Sequence, residues 1–450
     1  MKTSNRFELT RILFVFSLAS ILAAFSAFAQ KQGYETPPVF KAGKLLDAKL
    51  QKGPHHEVQD EIKNNGYMNL YTISSDFGEF QVGGMRLLEK RVNEIYIIAK
   101  LKEIESSQVF MDASKKAGKD IATAPVRGAQ KAYEIVSDPE KLKETAKSIP
   151  GGVSNLFKTA SRAVKSGYQA IQGDDQKGQD ESQSVKKSAS AYDAASELGK
   201  EMSGYNKNLR KWQKAMGIDP YTRNEVLNNE LDRIVKVETS VGFTSRLIPG
   251  VPSVPFIGKA SGYINKAEQL GLYEDPQELK RRNIDSIAKF EGASEKTATA
   301  FIGHQWISPT MQTAIIDSLN SLAGVKNRGD YLDIAIKAES TEAAVFFMEA
   351  SEILAWFHQK VDPIDELVEG VQLPAGVTKK GRLLVALPVD HMVWTEEVAT
   401  IFRDFKDRVK KEHSVTKGEI HITGTASDRC KSELEKMGTP VFENVKTTQS

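Results

Sequence analysis

Hydrophobic and polar residues alternate along this chain with three different rhythms, and each predicts a different kind of element. Two segments, Tyr67–Ile73 and Glu79–Val82, are rich in aromatic and β-branched residues. The polar turn Ser74-Ser75-Asp76-Phe77-Gly78 separates them, which predicts a β-hairpin. After Gly83-Gly84 the spacing becomes helical: Met85, Leu88, Val92, Ile95 and Ile98 fall at steps of three or four and form one apolar stripe. A hairpin alone is marginal in water, so the helix is expected to pack on it. Residues 30–60, rich in Lys, Gly and Pro without a clear period, are expected to run extended over the surface.

Helical spacing dominates from about 191 to 372. Asp219-Pro220, Asp275-Pro276 and Ser308-Pro309 each join a capping residue to a proline at a position tolerated in a first turn. The stretch from Ala343 to Phe357 is apolar nearly all round apart from Glu349, Ser351 and Glu352, as expected of a central bundle helix. The segment 247–258 is apolar but rich in proline, which forbids a regular helix.

The rhythm changes again near the C-terminus. Arg382–Pro388 holds a short continuous apolar run, as in a strand buried on both faces. Thr395 precedes a helix with Glu396 and Glu397 in its first turn and Val398, Ile401, Phe402, Phe405 and Val409 on its inner face. Glu419–Thr423 reads as a second strand, about 428–437 as a helix stopped by Gly438, and Pro440–Val445 as a third strand. Strand–helix–strand–helix–strand order implies a small parallel sheet with right-handed crossovers. The fold class is therefore α+β, mainly α. It comprises an N-terminal hairpin-plus-helix module (30–172), a central helical bundle (191–372) and a small C-terminal βαβαβ unit (376–446).

Composition refines this in three ways. Residues 1–29 carry Lys2, Arg6 and Arg11, then an apolar run, then Ala27-Phe28-Ala29, the pattern of a cleavable signal peptide. Removing them takes Lys plus Arg from 61 to 58 and Asp plus Glu from 59 to 58, leaving no net charge. A nucleic-acid binder carries a positive excess, so that class is disfavoured. Cys430 is the one cysteine, so no disulfide can form within the chain. Export to the periplasm or the exterior is expected. The stretch 173–190 lacks large apolar side chains over most of its length and is expected to be a flexible linker. The amphipathic segment 153–171 has a basic face that could meet a membrane surface or a protein partner.

Candidate chemistry gathers at the carboxyl ends of the C-terminal strands, where open parallel sheets place ligands. Asp390 and His391 follow the first strand; Thr423, Gly424, Thr425 and Ser427 follow the second and lead into a helix. A glycine among hydroxyls at a helix start can present N–H groups to an anion, although Ser427 or Thr425 could equally cap that helix. His55-His56 near Glu57 and Asp60 is a weaker metal candidate, since adjacent histidines in such a stretch are more often plain surface. No cofactor signature is present. The pattern points to an exported, non-enzymatic binding or scaffold protein, with an enzyme or small-anion receptor at the C-terminal sheet edge as the alternative.

Overall fold

A computed structural model describes residues 33–118, 204–241, 266–368 and 373–445, apart from 414 and 416. Residues 1–29, expected to be a signal peptide, the segments 153–171 and 173–190, and the proline-rich stretch 247–258 lie outside the described residues. The chain forms two compact units, one from Met1–Tyr96, Asp219–Thr222 and Ser253–Ser450, the other from Ile97–Ile218 and Arg223–Pro252.

In the first unit, residues 33–64 do not run loosely over the surface. They form β1 (Val39–Lys41), α1 (Ala42–Leu45), α2 (Ala48–Gln51), β2 (Lys52–Gly53), β3 (His56–Val58) and β4 (Glu61–Asn64). These join the expected hairpin, β5 (Asn69–Ser75) and β6 (Gly78–Gly83), in one antiparallel sheet. Within it β5 pairs with β6 along one side and with β4 and then β3 along the other. The strands are only two to four residues long in this early stretch, and apart from Val39 their exposed positions carry Lys and Glu. Yet Ala42, Leu46, Leu50, Val58 and Ile62 are buried, together with Tyr71 and Ile73 and with Leu88, Val92 and Ile95 of helix α3 (Met85–Glu105).

The second unit contains the rest of α3, α4 (Gln108–Ala117), a helical run over 204–216, and α5 (Glu225–Val241). Its residues Ile98, Leu101, Trp212, Leu227, Leu231 and Ile234 are buried. Lys102 and Arg233 pair with Glu230 at 2.8 and 3.3 Å.

The remaining helices belong to the first unit: α6 (Pro276–Ile287), α7 (Glu295–Ile302), α8 (Pro309–Asn320), α9 (Asp330–Ala335) and α10 (Thr341–Lys360). Asp275 and Ser308 cap α6 and α8 through backbone N–H groups, with Pro276 and Pro309 in the first turn. Asp219 departs from the expectation. It caps no helix; its carboxylate accepts from Tyr221 N–H at 3.0 Å and pairs with Lys90 at 2.7 Å, and α5 starts only at Glu225.

The C-terminal sheet has five strands, β7 (Ile364–Leu367), β8 (Ala375–Thr378), β9 (Leu383–Leu387), β11 (Gly418–Ile422) and β13 (Val441–Phe442). Their order across the sheet is β13-β11-β9-β8-β7. β9, β11 and β13 are parallel neighbours, as the βαβαβ reading requires. β7 and β8 add an antiparallel hairpin that helical periodicity had concealed. Period-two alternation sorts the side chains of β9. Leu383, Val385 and Leu387 face α11 (Glu396–His413) and α12 (Asp428–Lys436), while Leu384 and Ala386 join the core of α8 and α10. The sheet is thus the middle of three layers.

Candidate functional site

Beyond Leu387 and Ile422 the ladder is interrupted and resumes as a short parallel ribbon, β10 (His391–Met392) with β12 (Thr425–Ala426). All six residues singled out in the sequence therefore gather at one sheet edge. What they do there is specific. The Asp390 carboxylate accepts from Asn69 N–H at 2.9 Å and from Met85 N–H at 3.1 Å, so it caps α3 from the far end of the chain. Its pKa is raised by burial, even though both N–H bonds pull it down. The Thr423 hydroxyl donates to Val389 C=O at 3.0 Å. Gly424 is there for space: a Cβ on it would lie 2.0 Å from the Asp390 carbonyl oxygen. Ser427 accepts from Cys430 N–H at 3.0 Å and caps α12.

The turn's backbone donors are also engaged within the chain. Thr425 N–H donates to Asp390 C=O and Ser427 N–H to Met392 C=O. Ala426 N–H meets the carboxylate of Glu443 at 2.7 Å. The Ser427 hydroxyl donates to Glu35, whose carboxylate also accepts from Trp394 N–H. Two carboxylates of the chain itself thus lie against donors at this helix start. His391 is the least committed member. Its Nδ1 lies 2.7 Å from Thr425 Oγ1, its ring meets Phe40 edge-on at 5.2 Å, and burial lowers its pKa while Glu35 and Glu443 oppose the shift.

The same edge binds the N-terminal sheet to the C-terminal one. Tyr67 C=O accepts from Asp390 N–H at 3.0 Å, Gly66 C=O accepts from Val393 N–H at 2.9 Å, and the Asn64 side chain donates to His391 C=O at 3.0 Å. Nothing in local sequence could reveal these pairings, because their partners lie more than three hundred residues apart.

Other titratable candidates are structural. His56 is buried rather than on the surface, with Nε2 3.0 Å from Leu50 C=O, while His55 turns to Asp76. Cys430 is buried and its thiol pushed up to about 12 by burial, which suppresses thiolate chemistry. Among the described residues, no group of His, Cys, Asp and Glu is arranged to hold a metal ion, and no helix is long and apolar enough to cross a membrane.

A second constellation escaped sequence reading. On the α10 side of the C-terminal sheet, Trp356, Arg382, Glu419, His421, Phe442 and Asn444 border an open hollow of about 510 Å³. A signal for it existed: Ile420 and Ile422 face α11 and α12, so period two sends Glu419 and His421 to the opposite face.

Compared with known families, with curated proteins and with solved structures, the chain finds no match in any of the three.

Proposed function

We propose that the protein is an exported, non-enzymatic binding or scaffold protein of the bacterial envelope or extracellular space. The observation that carries this reading is the use made of Asp390. The acid best placed at a strand end to act on a substrate spends both oxygens on backbone N–H groups of Asn69 and Met85. A group so employed holds architecture together, and the neighbouring Thr423 and Ser427 hydroxyls are employed in the same way. Ala27-Phe28-Ala29 after an apolar run supports export. The basic amphipathic segment 153–171 is the proposed contact with a membrane surface or protein partner.

Export is tested by mass spectrometry of the protein recovered from fractionated cells. Gln30, free or cyclised, is the expected N-terminus in the envelope or medium. An intact Met1 in the cytoplasmic fraction would refute it. The alternative, a small-anion receptor at the sheet edge, is favoured by one feature: His391 Nε2 makes no hydrogen bond among the described residues. Titration of the sheet edge with phosphate, sulfate and acetate, followed by NMR, separates the two.

A further inference from the structure

The two faces of the C-terminal sheet are unequally covered. α11 and α12 lie over one face along its parallel strands. On the other face α10 lies over β9, and its last turns bring Trp356 and Phe357 beside His421 of β11. The hollow opens where this cover stops.

At its floor sits an imidazole in an unusual state. His421 is 5 % exposed, yet neither ring nitrogen has a hydrogen-bond partner among the described residues. The nearest carboxylate oxygen, from Glu419, is 3.5 Å from Nε2. Burial first, and Arg382 second, push its pKa down to about 4, so at neutral pH it offers one N–H donor and one bare acceptor. Buried polar groups are almost always satisfied, and one that is not calls for an explanation. Phe442 stacks on the ring at 5.0 Å but is itself 45 % exposed, on an edge strand of two residues, so a side-chain rotation uncovers the nitrogens.

The walls narrow the chemistry of an occupant. Their charges are already balanced: Arg382 pairs with Asp362 at 2.8 Å and approaches Glu419 at 3.6 Å, and Glu443 approaches Lys431 at 3.5 Å. No charge is left over to select an ion. What is left over is neutral hydrogen-bonding capacity beside aromatic surface. The Trp356 indole N–H and the Asn444 side-chain amide make no hydrogen bond among the described residues, although the Asn444 backbone N–H donates to Gly424 C=O, and Trp356 and Phe442 supply the apolar walls. A hydroxyl group donates and accepts at once, which is what a neutral imidazole beside a carboxylate requires.

We propose that this hollow binds an uncharged, polyhydroxylated ligand of the saccharide class, its C–H faces against Trp356 and Phe442 and its hydroxyls on His421, Glu419 and Asn444. The volume suits a small-ligand site, for which about 300–1,000 Å³ is usual. The proposal deepens the binding role proposed above but does not depend on export: wrong localisation would show in the fractionation and leave this site untouched.

Isothermal titration of the full chain with maltotriose, cellotriose and triacetylchitotriose at millimolar concentrations tests it. At least one trisaccharide should bind saturably. His421→Phe keeps the aromatic packing and removes both nitrogens; it should weaken that binding about tenfold or more while the unfolding temperature holds or rises. Asn444→Gly, at an exposed position whose φ of 55° glycine adopts without strain, guards against a folding artefact and should weaken binding to a lesser degree. The proposal is overturned if none of the three sugars binds, as it would be if the hollow holds only water. It is equally overturned if binding is unchanged in both variants, or if benzoate or benzylammonium binds better than every trisaccharide.

Discussion

Replacing Asp390 by alanine removes the acceptor for two backbone N–H groups at once, Asn69 in β5 and Met85 at the start of α3. An unsatisfied buried donor costs about 1–3 kcal/mol, and loss of a helix cap about 1 kcal/mol. Both bonds are part-buried, so some of the loss is recovered by water. Asp390→Ala should therefore destabilise by about 2–4 kcal/mol. The charge itself is a smaller matter. Burial raises the Asp390 pKa above its ordinary value despite the two bonds, so ionisation costs more in desolvation than those bonds return. Asp390→Asn keeps the shape and one acceptor oxygen, and should cost clearly less than alanine. Urea unfolding at pH 7, followed by circular dichroism, measures both. The slope should stay near the wild-type value while the midpoint falls in the order wild type, Asn, Ala. A loss below about 0.5 kcal/mol for Asp390→Ala would refute the capping role, since surface substitutions away from such contacts cost that little. Asn behaving as badly as Ala would refute the secondary role given to charge.

Two other substitutions test separate parts of the same framework. Glu349 on α10 lies beside Arg86 at 3.1 Å, and burial, with Glu352 close by, pushes its pKa up from 4.5 to about 7. A raised carboxyl pKa gives stability that is full below about 4.5 and lost as pH rises towards about 7; the loss can reach about 3 kcal/mol. Glu349→Gln should therefore flatten the fall and make the protein more stable than wild type at pH 8 in thermal unfolding, and an unchanged pH profile would contradict it. Gly424→Ala should destabilise by about 1–3 kcal/mol or more, because its Cβ meets the Asp390 and Val389 carbonyls rather than a movable side chain. A variant with wild-type unfolding would show that the ribbon β10–β12 is looser than described.

Much of this architecture can be read from local patterns because local physics sets it. The β5–β6 hairpin, the stripe of α3 and the caps Asp275, Ser308 and Ser427 depend on residues within a few positions of one another. The order β9, α11, β11, α12, β13 follows from alternating rhythms and the handedness of crossovers. What remained hidden depends on distant partners. β1 to β4 are too short for a periodic signal, and they become strands because β5 and each other supply hydrogen bonds. β7 and β8 follow a helical stretch and carry little alternation of their own. The six residues at the sheet edge were legible as a cluster, since parallel strands share an end. That Asp390 reaches back to Asn69 and Met85 was not, because no short-range pattern encodes it. The facing of His421 is legible in principle from the alternation of β11, but an isolated histidine in a strand carries no motif that marks it as a site.

Whether the sheet edge serves the fold or a ligand is decided most directly by anion titration of the 15N-labelled protein. Phosphate, sulfate and acetate are added in turn while NMR follows the His391 ring nitrogens and the amides of Thr425, Ala426 and Ser427. Because these amide N–H groups already donate to Asp390, Glu443 and Met392, no saturable shift should appear with any of the three anions. A saturable shift at these residues in the low millimolar range, abolished by His391→Ala, would contradict the scaffold reading and establish an anion receptor in its place.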